Sequence, residues 1–306
     1  MTLAELGESG LVARIERLFR PRTPLPVGIG DDGAVLPASR GPIVAVADAL
    51  VEGVHFRRDL CPPEAIGRKV VAVNVSDIAA MGAVAEHGLL TVSLPGTTEV
   101  EWALALFSGV ADEARKHGVV IAGGDVTGSP GPVCLSVSML GRLAGAAPVL
   151  RSGAQPGDTL YVTGPLGASG LGLRTLLANP RAVGAAVEAY RAPTPRAVEG
   201  AALGAWGRCH ALMDVSDGLG VDAPRMATAS GVTLVIDLDR VPIAAGADEA
   251  LALFGGEDYE LLFACVERPP VGAVAIGRVE AGGAAVRWLR GGEEIEPDRS
   301  GGYHHF

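Results

Sequence analysis

Lysine is nearly absent from this chain: of 25 basic residues only Lys69 and Lys116 are lysines, and neither closes a GxxxxGK loop. That removes the usual phosphate-cradling loop of nucleotide-binding enzymes, and the HRD and DFG motifs of protein kinases are missing as well. The four cysteines, Cys61, Cys134, Cys209 and Cys265, stand far apart with no CxxC pair, which argues against a zinc knuckle or a disulfide framework. Positive charge is short too. With 35 acids against 25 bases the net charge is −10, a poor match for a nucleic-acid backbone, so no nucleic-acid partner is expected. No apolar run approaches the roughly 18 to 20 residues that span a bilayer. Met1 to Leu6 lacks the basic and apolar regions of a signal peptide, so the expectation is a soluble, cytoplasmic protein with no membrane partner.

What is present is glycine, acid and alternating apolar sequence. At 306 residues the chain is long for one core and suggests two domains of about 150 residues. The composition of residues 144–157, rich in Gly, Ala and Pro, marks the boundary and divides the chain into 1–146 and 147–306. Strands and helices can be read in both parts. Within the first part, Gly28-Ile29-Gly30-Asp31-Asp32-Gly33 sets two carboxylates side by side in a glycine-rich loop. Such a pair persists when it stays in water, when one acid is protonated, or when a cation lies between them. Gly28, Gly30 and Gly33 formally match GxGxxG, but the preceding segment is broken by Pro21, Pro24 and Pro26, and the two acids would repel a pyrophosphate. A dinucleotide fold is therefore rejected.

Further acids recur in apolar settings. Ile43 to Ala47 reads as a strand ending at Asp48, with Val44, Val46 and Asp48 on one face. The spacing predicts a helix from Pro62 to Met81 that puts Asp77 on the stripe of Val70, Val73 and Met81, with Asn74 beside it. Ser9 and Thr98 are read as caps of helices 10–19 and 98–117. Val119 to Ala122 reads as a strand closed by a turn, Gly123-Gly124-Asp125, which is either an ordinary tight turn or a concavity whose N–H groups face phosphate. His55 is either a surface histidine or a ligand-binding one. Arg151 is either a solvated hinge residue or a phosphate clamp. Gly167 to Gly172 opens a helix whose N-terminus could receive an anion. Asp214-Val215-Ser216-Asp217-Gly218 gathers two carboxylates and a hydroxyl in one short loop, and Gly256-Glu257-Asp258-Tyr259-Glu260 places acids before another strand.

All of these donors are oxygens, so a hard cation such as Mg²⁺ is favoured over Zn²⁺. Asp32, Asp48, Asp77, Asp125, Asp214 and Asp217 account for six of the ten excess negative charges, which bound divalent ions would offset. A phosphate monoester would suit such a site as acceptor. Its second pKa lies near 6, so at neutral pH it is largely a dianion and needs no general base. The obstacle is charge repulsion between acceptor and nucleotide, roughly 1 kcal/mol per pair at 4 Å in water and about 4 in a protein site.

Taken together and in order, Gly28 to Asp32, Ala49-Leu50-Val51 with His55-Phe56, Asn74 to Ala83, Gly123-Gly124-Asp125, Asp214 to Gly218 and Gly256 to Leu261 resemble the thiamine-monophosphate kinase family, within the aminoimidazole ribonucleotide synthetase-like superfamily. The resemblance implies a two-domain α/β (α+β) fold whose N-terminal domains pair their sheets in a homodimer. It implies an N-terminal metal- and ATP-binding domain and a C-terminal domain that completes the site. The activity implied is ATP-dependent conversion of thiamine monophosphate to thiamine diphosphate by direct transfer. Asp32, Asp48, Asp77, Asp125, Asp214 and Asp217 would bind several Mg²⁺ ions; Gly124, Asp125, Arg151 and Ser216 would contact ATP; His55, Glu257 and Tyr303 would contact the thiamine substrate. Where the family often has hydroxyl residues before the strand acid, this chain has Val46-Ala47. The competing readings are another ATP-dependent enzyme of the superfamily and a metal- and nucleotide-binding protein without turnover.

Overall fold

The computed structural model describes residues 1–21, 25–29, 33–39 and 41–297, which leaves Asp32 and Tyr303 outside the described residues. Two compact units emerge, Met1–Ile78 with Ala85–Arg142, and Ala79–Val84 with Leu143–Phe306.

The first unit opens with α1 (Leu3–Leu6) and α2 (Glu8–Leu18), and continues with β1 (Ile43–Val51), α3 (Pro63–Ala80), β2 (Ala83–Leu94), α4 (Val100–Lys116), β3 (Val120–Gly128) and β4 (Cys134–Leu143). The strands form a sheet in the order β1-β4-β2-β3, with β1 antiparallel to β4 and β2 parallel to β3. Along β1 burial alternates: Val44 and Leu50 are buried, while Ile43, Ala45, Ala47 and Ala49 face outward. Helices α3 and α4 approach backbone to backbone. A Cβ on Gly67 would lie 2.0 Å from the Leu106 carbonyl, and one on Gly109 would lie 2.0 Å from the Glu64 carbonyl, so only glycine permits this crossing. Phe19, just past α2, packs edge-on to Phe107 of α4 at 6.2 Å between ring centres.

Two expected caps are not caps. Gly7 precedes α2 and Ser9 lies inside it, while α4 begins after Glu99 and the buried Thr98 hydroxyl has no hydrogen-bond partner among the described residues. Both strand boundaries near the acids also move. β1 runs three residues past Asp48, and β3 continues through Gly123-Gly124-Asp125 instead of turning there, because ladder bonds to β2 pair Gly124 with Leu90 and Asp125 with Thr91.

The second unit contains β5 (Thr159–Val162), α5 (Ala168–Ala178), α6 (Ala185–Arg191), α7 (Ala197–Trp206), β6 (Ala211–Val215), α8 (Leu219–Ser230), β7 (Thr233–Asp237), α9 (Glu249–Phe254), β8 (Glu260–Cys265), β9 (Val274–Glu280), β10 (Ala285–Arg290) and β11 (Glu293–Ile295). Its sheet has the order β11-β10-β7-β9-β5-β8-β6 and is mostly antiparallel. β6 and β8 are buried at every position, as strands covered on both faces must be. One face packs Met213, Val215, Leu219, Met226 and Phe254; the other packs Leu212, Leu261, Phe263 and Leu203. Among the described residues no helix is long and apolar enough to cross a membrane.

Candidate active site

In the first unit, Asp48 lies half-buried within β1 on the face of Val44 and Leu50. Its N–H donates to Asn74 Oδ1 at 3.1 Å, its carbonyl accepts from Ser136 Oγ at 3.1 Å, and the wholly buried Asn74 donates in turn to the Val70 carbonyl at 2.9 Å. The strand at Asp48 is thereby pinned to α3 one turn before Asp77, which is half-buried on that helix. His55 follows β1, where the Val51 N–H donates to its Nδ1 at 3.1 Å. That bond makes Nδ1 the acceptor, so the proton of the neutral ring sits on Nε2. The buried Lys69 donates through Nζ to the His55 carbonyl at 3.2 Å and so fixes the loop from beneath.

Gly124 has φ +151, and a Cβ there would come within 1.8 Å of the Leu90 carbonyl. Glycine is required for the pairing of β3 with β2, not for a tight turn. Asp125, next in the strand, is exposed, so the argument that apolar surroundings demand a cation does not apply to it.

The second unit brings more of the expected residues together. Asp214, the residue before the last of β6, is 6% exposed, and Ser216 and Asp217 follow half-buried before α8. The Ser216 carbonyl accepts the Glu257 N–H at 2.6 Å and the Val215 carbonyl accepts the Tyr259 N–H at 2.9 Å, so the acidic loop before β8 lies against the end of β6. Arg151 is exposed beside the same strand: the carbonyl of Leu150 accepts the Leu212 N–H at 2.9 Å.

Two residues of this group were not legible as functional. Asp222, fully buried in the first turn of α8, accepts the Asp217 N–H at 2.9 Å and Arg225 Nη1 at 2.7 Å, while Arg225 also pairs with Asp217 at 2.6 Å. Burial raises the Asp222 pKa to about 6; the Asp217 N–H and Arg225 oppose it, and the Asp217 and Asp214 charges reinforce it. An Asp and an Arg three residues apart, just after Asp217-Gly218, was the available signal. The α5 N-terminus, which the sequence offered as one possible place for an anion, is taken by the protein's own Asp258, whose carboxylate accepts from Gly167 N at 2.6 Å and Ser169 N at 3.2 Å.

Among the described residues no three His, Cys, Asp or Glu side chains close around a point that would hold a metal ion. A cavity of about 290 Å³ in the first unit, lined by Leu18, Phe19, Ala111, Ala114 and Ile121, contains none of the candidate residues.

Residues 30–143 match the AIR synthase related protein, N-terminal domain, and residues 155–288 match the corresponding C-terminal domain. The thiamine-monophosphate kinase of Mycobacterium tuberculosis (strain ATCC 25618 / H37Rv) is 39% identical over 306 residues, covering 96% of this chain and 90% of that protein. The chain belongs to the thiamine-monophosphate kinase family. Two solved structures resemble this family member along nearly all their length. AaThiL complexed with AMPPCP and TMP has 32% identity and a TM-score of 0.78, covering 100% of this chain and 99% of that one. The thiamine-monophosphate kinase from Stenotrophomonas maltophilia K279a has 33% identity and a TM-score of 0.80, covering 93% and 96%. In this thiamine-monophosphate kinase family chain, Asp48, Asp77, Asp125 and His55 belong to the first unit, and Arg151, Asp214, Ser216, Asp217 and Glu257 to the second.

Proposed function

We propose that the chain transfers the γ-phosphoryl group of ATP directly to the phosphate of thiamine monophosphate, giving thiamine diphosphate, in an in-line reaction assisted by Mg²⁺. Family membership across both matched domains carries this reading, joined to a solved relative that holds AMPPCP and TMP. Asp32, Asp48, Asp77, Asp125, Asp214 and Asp217 are the residues that would hold Mg²⁺. The donor chemistry fits: around Asp214, Ser216 and Asp217 the side chains offer carboxylate and hydroxyl oxygens, which suit a hard cation. When bound, Mg²⁺ would supply screening between two phosphate anions and fix their alignment.

The chain's own groups do the rest. Gly124, Asp125, Arg151 and Ser216 bind ATP, with the Arg151 guanidinium offering a fork for phosphate. His55, Glu257 and Tyr303 hold thiamine monophosphate. Asp222 and Arg225 keep Asp217 in place. The acceptor dianion attacks without a general base. We further propose that the protein works as a cytoplasmic homodimer built on the four-stranded sheets.

The test is a direct assay of thiamine diphosphate from ATP and thiamine monophosphate, with and without Mg²⁺. Product should form only with the metal. Asp77→Asn should lower the rate by on the order of a hundredfold or more while the thermal unfolding midpoint stays close to the parent's. Failure to form thiamine diphosphate, or an unchanged rate in Asp77→Asn, would refute the reading.

A further inference from the structure

The segment Gly256–Glu260 is conformationally unusual. Glu257 has φ +58 and Tyr259 has φ +53, the two non-glycine residues in the left-handed region among the described residues, and Gly256 beside them has φ +66. A left-handed conformation costs a side-chain-bearing residue of order 1 kcal/mol or more, and persists only where surrounding contacts over-determine it. The contacts are identifiable. Glu257 and Tyr259 each donate their N–H to the end of β6, at 2.6 and 2.9 Å. Glu260, 5% exposed, is held by Arg196 Nε at 2.7 Å and by the Thr163 hydroxyl at 2.5 Å. Between the two left-handed residues, the Asp258 carboxylate accepts from the N–H groups of Gly167 and Ser169 at the start of α5.

We propose that Asp258 is a positioning residue for capture of the thiamine substrate: by tying the segment to α5 it holds the left-handed backbone on both sides of itself, and with it the direction of the Glu257 carboxylate. The inference rests on the reading that Glu257 contacts thiamine monophosphate. Its physical basis is placement: Asp258 sits between the two left-handed residues, so its tie to α5 constrains the peptides on both sides of it, and loss of that tie lets them shift toward negative φ and turns the Glu257 side chain. Loss of the carboxylate also leaves the first N–H groups of α5 without their acceptor. Of the residues proposed to contact ATP, Arg151 lies outside the segment and Ser216 meets it through its main-chain carbonyl, so the larger effect is expected on the thiamine substrate.

The experiment compares the full-length parent, Asp258→Ala, Asp258→Asn and Glu257→Gln for steady-state constants with each substrate and for calorimetric binding of thiamine monophosphate. Asp258→Ala should raise KM for thiamine monophosphate by roughly tenfold or more, with KM for ATP within about threefold of the parent, because misplacement by about an ångström costs binding and rate on this scale. Asp258→Asn, which keeps one acceptor oxygen, should fall between the two and also serves if the alanine variant folds poorly. A merely structural cap would lower the unfolding temperature and leave the ratio of the two KM values unchanged, and that outcome overturns the proposal. If Glu257→Gln itself binds thiamine monophosphate normally, the assignment of Glu257 falls and the positioning role with it. If Glu257→Gln is impaired but Asp258→Ala is not, the positioning role alone falls.

Discussion

Glu113 and Asp222 are equally removed from water, at 2% and 0% exposure, yet their acidities move in opposite directions. Burial pushes both carboxyls up. At Glu113 this is outweighed by three donors, His117 at 3.0 Å, Lys116 at 2.8 Å and Arg68 at 3.1 Å, which hold it down to about 2. Asp222 has one guanidinium and two neighbouring carboxylates, so burial wins and its value rises to about 6. The consequences for stability have opposite signs. The Glu113 contribution is present above its unfolded value of 4.5 and is lost as pH falls toward about 2; the shift corresponds to roughly 3 kcal/mol. The Asp222 contribution is fully present below its unfolded value of 3.8 and is lost as pH rises from there to about 6, a cost the fold tolerates because the same carboxylate fixes the Asp217 N–H. Glu113→Gln should therefore destabilise the protein by about 2–3 kcal/mol at neutral pH and flatten the loss of stability between pH 4.5 and 2, as measured by urea unfolding across pH. Glu113 was not legible as special, since its Arg68 partner is 45 positions away on another helix.

At the scale of the element, the crossing of α3 and α4 shows how a local pattern and a distant contact combine. The 3.6-residue period of Val70, Val73 and Asp77 marks α3 in the sequence, and the helix observed, Pro63–Ala80, follows it closely. Nothing local marks the second requirement, that Gly67 and Gly109 leave each helix bare where the other's carbonyls pass, 2.0 Å from the point a Cβ would occupy. Gly109→Val should force the helices apart and cost about 2–4 kcal/mol in denaturant unfolding. A loss below about 0.5 kcal/mol would show that the crossing adjusts freely. Strand β3 illustrates the converse. Gly123-Gly124 reads locally as a turn, yet both residues stay in the ladder because Leu89 and Leu90 of β2 supply their partners. Glycine's freedom is spent on close backbone approach instead of reversal.

For the whole molecule, the outer face of the first unit's sheet presents small and apolar side chains along β1. Ile43, Ala45, Ala47 and Ala49 on β1 lie opposite Arg142, Leu140, Ser138 and Ser136 on β4, and Leu89 on β2 is 46% exposed. Such a face is expensive to leave in water and suits a second copy. Light scattering should give twice the 31.1 kDa chain mass for the parent, and Ala45→Arg, which puts a charge on that face, should shift the population to monomer. A parent that runs as a monomer at micromolar concentration would overturn the dimer.

By itself the sequence determined the family, and through it the α/β class and the choice of candidates to examine, because short motifs are properties of neighbouring positions. Only the tertiary structure decided which acids are buried, which cations they meet and which backbone groups they satisfy. Asp258 reaches Gly167 across 91 positions and Asp48 is pinned by Asn74 across 26. Such partners are chosen by how strands and helices pack, and packing depends on the summed contacts of each whole unit, which no short stretch of sequence contains.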